Sequence, residues 1–510
     1  MGAPTLVHLL ARAVEQRPGA EALVCGQRRE RYEDLWQRVA RLAGLLSARG
    51  VAPGDRVALV LQNSPEYVAA YYAVLSLGGL VTPLSAEARS MELAGCIAHC
   101  AARAVLVDQR NSELPALKAA IGRNVLVLTP DEAAAMPPRA PDLAGEALHD
   151  PARPAAIMYT SGTTSDPKGV TLSHGNLVSN VLAIVEYLGL QASDRVLTTL
   201  PFHYSYGNSV LHTHLAVGGC VVVAANMMYP QRVVDTMCDE RVTGFSGVPW
   251  MYRLLLDRTR LAAMRRQLGA LRYLTQAGAP MAPGDIQRVI RALPGVAFIP
   301  MYGQTEATAR LSYLPPGQVQ WRPGSVGIPI PNTQLEVRRS DGTRASTGEE
   351  GEVFASGPGI MLGYWNAPEA TRDAIVDEPS GRWLRTGDVG YTDRDGYLYL
   401  RGRSSEMIKT GAHRVSPFEI EEALLRCDAI ADAAAFGVPD DMLGESIEAA
   451  VVLKPGTALT ERELFAHCRA HLSLYKVPRR LHFAATFPRT ASGKLRRRAL
   501  AGLVESGMAT

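Results

Sequence analysis

Tyr159-Thr160-Ser161-Gly162-Thr163-Thr164-Ser165-Asp166-Pro167-Lys168-Gly169-Val170 brings together hydroxyls, two glycines and one lysine. The residues before it, Ala155-Ala156-Ile157-Met158, form a continuous apolar run and read as a buried strand. Leu172 to Leu188, after it, reads as a helix. Glycines let backbone N–H groups approach an anion closely, hydroxyls add donors, and Lys168 adds positive charge. That chemistry suits a loop that holds a polyphosphate. No Gly-Lys-Ser/Thr closes the loop, so it is not the Walker pattern. A surface turn rich in Ser, Thr and Gly has the same composition, and the loop alone does not separate the two readings.

Outward from the loop, short apolar runs alternate with helical patterns. Leu35, Val39, Leu42 and Leu46 recur at helical spacing before Gly50. Val57 to Leu61 reads as a strand, and Ser64-Pro65 offers an N-cap and a first-turn proline for a helix that Gly78-Gly79 ends. Val105 to Val107, Val125 to Leu128, Val196 to Leu200, Val221 to Val223 and Val296 to Ile299 read as further strands, and Val289 to Leu293 as helix. Such alternation predicts layered α/β sheets with parallel strands. Thr129 to Pro154, rich in Pro, Ala and acids, reads as a surface excursion. From about Val326 the texture changes. Asp341-Gly342 and Asp395-Gly396 lie between alternating segments such as Gln334 to Val337 and Tyr397 to Leu400, which predicts hairpins and a small β subdomain. After Arg403, helices at Pro417 to Leu425 and Glu461 to Ala470 flank a strand at Val451 to Leu453, an α+β pattern.

Composition sets the bounds. A chain of 510 residues exceeds a single core, so two or more domains are expected. A net charge of +3 is too small to argue for nucleic acid. Seven cysteines at irregular spacing do not make a disulfide framework, which points to a reducing cytoplasm. Cys96, His99 and Cys100 lack a second ligand pair and read as a buried helix carrying thiols. His212 and His214 are two apart and do not share a helix face. The N-terminus shows no leader pattern, Leu6 stands where a myristoylation signal needs Ser or Thr, and no apolar run is long enough to span a bilayer.

Further constellations follow. Met301-Tyr302-Gly303-Gln304-Thr305-Glu306 offers an aromatic for stacking, a glycine for close approach and a hard carboxylate suited to magnesium. Trp383-Leu384-Arg385-Thr386-Gly387-Asp388 carries a carboxylate able to accept from two hydroxyls, and equally suits a turn aspartate. Arg496, Arg497 and Arg498 form a basic run, read as a solvated helix face with a docking patch as the alternative.

Tyr-Thr-Ser-Gly-Thr-Thr-x-x-Pro-Lys-Gly at the first loop resembles the phosphate loop of the adenylate-forming (AMP-binding) superfamily. That group holds acyl-CoA synthetases, aryl-CoA ligases, luciferases and peptide-synthetase adenylation domains. Relatives usually have Gly where Ser165 stands. Gln276-Ala277-Gly278-Ala279-Pro280 resembles the loop along adenine, Arg401-Gly402-Arg403 the ribose contact and hinge, and Pro488-Arg489-Thr490-Ala491-Ser492-Gly493-Lys494 the C-terminal catalytic motif. Met407 to Pro417 resembles the thioester-forming loop, with Gly411 one place before the usual glycine and Ala412 in its position. Ser405 holds the hinge position, where relatives carry Asp or Lys. These motifs run in the family's order over nearly the whole chain.

The resemblance implies an α/β fold with a large N-terminal domain over residues 1–402 and a smaller, mobile α+β domain over 403–510. It implies a ligase that joins a carboxylic acid to AMP, releases pyrophosphate, and transfers the acyl group to a thiol. ATP, Mg²⁺ and CoA are expected, with a phosphopantetheinyl carrier protein as the alternative acceptor and a nucleotide-binding protein without catalysis as the distant alternative. By the same resemblance Lys494, Thr160, Lys168 and Arg414 serve catalysis. Thr160, Ser161, Gly162, Thr163, Thr164, Lys168, Gly278, Ala279, Pro280, Tyr302, Gly303, Gln304, Thr305, Asp388, Arg403 and Lys494 contact ATP. Glu306 and Thr164 hold the metal, and Gly411 and Ala412 line the thiol tunnel. Leu200-Pro201-Phe202-His203-Tyr204-Ser205-Tyr206-Gly207 resembles the acyl pocket, with His203, Tyr204 and Tyr206 as its lining. His203 stands near the place where amino-acid-activating relatives have Asp, so an apolar or aromatic acid is expected rather than an α-amino acid.

Overall fold

The computed structural model describes residues 4–143, 150–160, 168–224, 227–403, 406–410, 413–440, 444–489, 495–497 and 499–500. Two α/β layers, a β extension and a separate α+β unit make up the described chain.

The first layer contains the opening motif. Leu126–Leu128, Ala104–Val107, Arg56–Val60, Leu80–Pro83 and Pro154–Thr160 lie side by side in parallel. Their side chains are almost all apolar, as expected of strands covered on both faces. At Thr160 the sheet changes character. Lys168–Ser173 returns antiparallel to Pro154–Thr160, with Thr160 opposite Lys168. In the chain, a strand and not a helix therefore follows the Ser/Thr/Gly-rich stretch. The expected helix starts later, at His174, because Ser173 caps it: its Oγ accepts from Asn176 N at 3.1 Å, and Asn176 Oδ1 accepts from Ser173 N at 2.8 Å. Gly189 ends that helix in the left-handed region at φ +58.

In the second layer Cys220–Val223, Arg195–Thr198, Gly244–Gly247, Tyr273–Gln276 and Ala297–Tyr302 are parallel. Two features depart from the sequence expectation. Glu21–Cys25, far away in the chain, pairs in parallel with Cys220–Val223. At the other edge Ser312–Tyr313 pairs antiparallel with Ala297–Tyr302 and carries the sheet directly into the β extension. That extension comprises Ser325–Pro329, Leu398–Arg403, Gly381–Thr392, Gly351–Ser356 and Gln334–Arg338. The hairpin turns expected at Asp341-Gly342 and Asp395-Gly396 lie between these strands.

Helix Pro65–Ser76 is buried on nearly every side, which its all-round apolar sequence requires. Tyr71 packs on His212 of helix Ser205–Ala216 at 4.7 Å between ring centroids, joining the two layers. The last unit builds its own core on Ile430–Asp440, Gly444–Leu453 and helices Pro417–Leu425 and Glu461–His471. Among the described residues no helix is long and apolar enough to cross a membrane.

Candidate active site

Asp388 is the most fully determined side chain in the site. Gly387 turns the strand at φ +71, and Asp388 sits buried opposite Arg403 in the ladder. Its Oδ1 lies 2.8 Å from Arg403 Nε, and its Oδ2 accepts from the Tyr302 hydroxyl at 2.6 Å. Arg403 Nη1 also donates to Thr386 O at 3.3 Å. Burial first, and then the adjacent Asp388 carboxylate, push the Tyr302 hydroxyl far above its ordinary range, so it remains a donor. Three motifs distant in sequence thus meet at one carboxylate.

Tyr302 ends its strand, and the chain then doubles back. Leu311 N donates to Tyr302 O at 2.8 Å, and Thr308 takes φ +67. A left-handed non-glycine residue costs about 1–3 kcal/mol. Thr308 is held there by donating Oγ1 to Gly359 O at 2.6 Å. Gly303 is required by the doubling back, since a Cβ on it would lie 2.0 Å from Ala309 O. The tight reversal places Gln304, Thr305 and Glu306 on a projecting turn. Thr305 Oγ1 donates to Ser205 Oγ at 3.2 Å, joining this turn to the expected acyl segment. Gln304 Nε2 is buried without a hydrogen-bond partner among the described residues.

Glu306 accepts at Oε1 from the Tyr364 hydroxyl at 3.0 Å. Lys168, the first residue of strand Lys168–Ser173, places Nζ 5.1 Å from the centroid of the same Tyr364 ring. Tyr364 escapes sequence reading because its strand, Gly363–Tyr364, is two residues long and shows no periodicity.

The adenine-loop residues stand at the end of strand Tyr273–Gln276. Gly278 has φ +90, and Gln276 Nε2 donates to Ala279 O at 2.7 Å, fixing the turn. Gly278 and Pro280 are exposed, Ala279 half-buried.

The acyl segment needs correction. His203 and Tyr204 face each other with centroids 4.2 Å apart. His203 Nε2 has no hydrogen-bond partner among the described residues, and burial lowers its imidazole to about 4, so it is neutral at pH 7. Tyr206 instead turns into the core. Its hydroxyl donates to Thr275 O at 2.9 Å, and the Arg310 guanidinium covers its ring at 4.1 Å. Phe202 is fully buried against Tyr67 at 5.6 Å. The reason is Gly207, whose missing Cβ lets the helix start press on Pro201; a Cβ would lie 2.2 Å from Pro201 O. Asn63 completes the clamp, donating to Leu200 O and accepting from Phe202 N, each at 2.8 Å.

Ser161, Gly162, Thr163, Thr164, Gly411, Ala412 and Lys494 lie outside the described residues. Arg414 pairs with Lys409 across the ladder, and Arg489, inside the expected lysine motif, bridges to Leu495 just after it. The basic run is not a uniform solvated face: Arg496 is exposed, but Arg497 turns inward to Glu421, with Nε 3.2 Å from Glu406 Oε2 and its guanidinium over Phe418 at 4.8 Å. Cys96 and Cys100 are buried thiols, and the His99 ring is bonded to the Tyr159 hydroxyl at 2.7 Å.

Residues 10–365 match the family described as AMP-binding enzyme, and residues 419–494 match AMP-binding enzyme C-terminal domain. A feruloyl-CoA synthase of Amycolatopsis sp is 35% identical over 485 residues, covering 95% of this chain and 96% of that protein. An oxalate–CoA ligase of Arabidopsis thaliana is 32% identical over 522 residues, covering 98% of this chain and 99% of the other. The structure of o-succinylbenzoate coenzyme A synthetase from Bacillus subtilis, in complex with ATP and magnesium ion, matches with TM-score 0.87 at 28% identity, covering 98% of this chain and 100% of that one. The chain belongs to the AMP-binding enzyme family, within the adenylate-forming superfamily. It is an AMP-forming acid–CoA ligase, which activates an acid with ATP and passes the acyl group to CoA.

Proposed function

We propose that the acid is an apolar or aromatic carboxylic acid, and that the motif residues take the family's roles in its activation. Asp388 accepts the ribose hydroxyls while Arg403 holds it in place, Tyr302 offers its ring to adenine, and Gly278, Ala279 and Pro280 run beside the base. Thr160, Ser161, Gly162, Thr163, Thr164 and Lys168 hold the phosphates, with Gly303, Gln304 and Thr305 at the α-phosphate side. A carboxylate oxygen of the acid attacks the α-phosphorus, and the α–β bridging oxygen leaves with pyrophosphate. Lys494 bridges the carboxylate and the α-phosphate, stabilising charge as it builds. Positioning and positive charge do this work without a protein nucleophile.

Mg²⁺ fits the donor set. Glu306 supplies a hard carboxylate, accepts at Oε1 from a neutral phenol, and makes no ion pair among the described residues. Glu306, with Thr164, would hold the ion, which when bound offsets the charge of the triphosphate.

In the second half, the domain expected over 403–510 turns about Arg403, which stays on its strand beside Asp388 while Lys494 moves away. The thiol sulfur then attacks the acyl carbon beside Gly411, Ala412 and Arg414, AMP leaves with the electron pair, and the thiol proton is lost to solvent. All seven cysteines are free thiols, which agrees with a cytoplasmic setting.

The observation that carries the substrate reading is the neutral His203 beside Tyr204, its buried Nε2 without a hydrogen-bond partner among the described residues. A neutral imidazole offers an acceptor nitrogen but no negative charge, so a charged α-amino group entering here gives up its hydration without the carboxylate that would balance it. Pyrophosphate exchange across fatty acids, benzoates, phenylpropenoic acids and amino acids tests it. Exchange with apolar or aromatic acids is expected; selective exchange with an α-amino acid alone overturns the assignment.

A further inference from the structure

Lys168 and Glu306 carry opposite charges to one side chain, Tyr364, and both are half-buried, where such groups attract more strongly than in bulk water. Among the described residues neither forms an ion pair. Tyr364 stands between them. Its hydroxyl donates to Glu306 Oε1 at 3.0 Å, and its ring receives the Lys168 ammonium at 5.1 Å from the centroid. One side chain thus occupies both charges at once, the carboxylate through an O–H donor and the ammonium through a π face.

The backbone around Tyr364 is fastened to both partners. Tyr364 pairs with Val170 and Gly363 with Thr171 on the strand that Lys168 begins. Trp365 N donates to Gly169 O at 2.7 Å. On the other side Met361 N donates to Glu306 O at 2.9 Å. Asn176 Nδ2 anchors the same segment by donating to Ile360 O at 2.9 Å, and Tyr364 N donates to Thr371 Oγ1 at 2.9 Å. The phenol is therefore not a loose neighbour. It spans two loops that its own short strand already joins.

We propose that Tyr364 is a positioning residue of the nucleotide site, keeping Lys168 and Glu306 from closing on each other so that Mg·ATP meets a free ammonium and an aimed carboxylate. This rests on the placement of Glu306 at the metal and Lys168 at the phosphates. Both contacts persist as the nucleotide binds, because Tyr364 engages only Oε1 of Glu306 and one face of the ammonium, leaving Oε2 and the remaining N–H donors to the cation and the triphosphate. Without the phenol, the two charges pair, and the nucleotide must break that pair to bind.

The test is ATP binding by calorimetry on the full chain, with and without Mg²⁺, in wild type, Tyr364→Phe, Tyr364→Leu and Glu306→Gln. Tyr364→Phe keeps the ring and loses the hydroxyl. It is expected to raise the Mg²⁺ concentration for half-maximal enhancement about tenfold, the loss of one hydrogen bond to a charged group, and to leave Mg-free ATP affinity unchanged. Tyr364→Leu frees both charges and is expected to weaken Mg-free binding as well, by about tenfold. If the leucine variant fails to fold, the phenylalanine variant decides alone. A wild-type Mg²⁺ dependence in Tyr364→Phe with an impaired one in Glu306→Gln overturns the bridge and leaves the glutamate's role standing. A wild-type dependence in both overturns the metal placement and the bridge with it.

Discussion

The nucleotide side and the C-terminal side of this enzyme are held by different kinds of contact. On the nucleotide side, Asp388 is buried and bonded to Tyr302 and Arg403, and the turn after Tyr302 is locked by Thr308 and Gly303. The C-terminal unit has its own small core and touches the large domain with lighter contacts. Arg253 reaches Asp432 at 3.8 Å and Ala431 O at 3.4 Å, and Phe418 packs where Gly402 has no side chain. Partly exposed ion pairs of this sort are worth about 0–1 kcal/mol. On the proposed assignment the contrast is a division of labour: groups that bind nucleotide are preorganised, while groups that act in turn sit on a unit cheap to redock.

The strongest way to break that division is Lys494→Ala. It should cut pyrophosphate exchange by about a hundredfold or more, the scale of a lost transition-state donor, while ATP affinity measured by titration stays near wild type. Exchange at the wild-type rate removes the lysine from catalysis. Asp388→Ala attacks the other side. Tyr302 and Arg403 lose their shared acceptor and the ribose loses its own, so ATP binding should weaken by about ten- to a hundredfold. An unchanged affinity makes Asp388 a turn residue only.

Acid sharpens the contrast by acting on the large domain. Burial lowers His174, His203 and His214 to about 4 and His212 to about 3, from an ordinary 6.5. Between about 6.5 and these values the unfolded chain binds protons that the folded chain refuses. Stability should therefore fall as pH drops through that window, by up to about 1.4 kcal/mol per pH unit for each histidine. Denaturant midpoints across the window check it, and His212→Phe should flatten the slope; a flat wild-type profile refutes it. The smallest effect is expected at Ala412→Gly. If Gly411 already supplies the turn, thioester formation with CoA, or with a carrier protein, should change less than about threefold, well under 1.4 kcal/mol. Acyl-adenylate that accumulates in the native enzyme and clears in the variant shows instead that the methyl obstructs the thiol.

Much of this was legible along the chain, and the failures have local causes. Motif residues that meet at Asp388 each carried a recognisable neighbourhood, and the helix at Pro65 announced itself through Ser64-Pro65. Periodicity says nothing about pairing partners, so the junction of Glu21–Cys25 with Cys220–Val223, and of Ser312–Tyr313 with the β extension, was invisible. Aromatic composition does not report direction: Tyr206 reads as a pocket wall, but its hydroxyl turns inward to Thr275 O. Arg497 likewise looked solvated beside Arg496, but Glu421 turns it inward.

The pairing of Leu23 with Val221 has a consequence for how the protein is made. The first layer lies mostly between these positions, and its parallel strands can assemble as they emerge. The N-terminal strand cannot, because its partner is synthesised much later. At about 5–20 residues per second, the wait lasts on the order of ten to forty seconds. Throughout it, helix Leu6–Gln16 has no second layer against which to cover Leu6, Val7 and Leu10, all fully buried in the finished protein. Helix Leu6–Gln16 is thus held open for a sheet that does not yet exist.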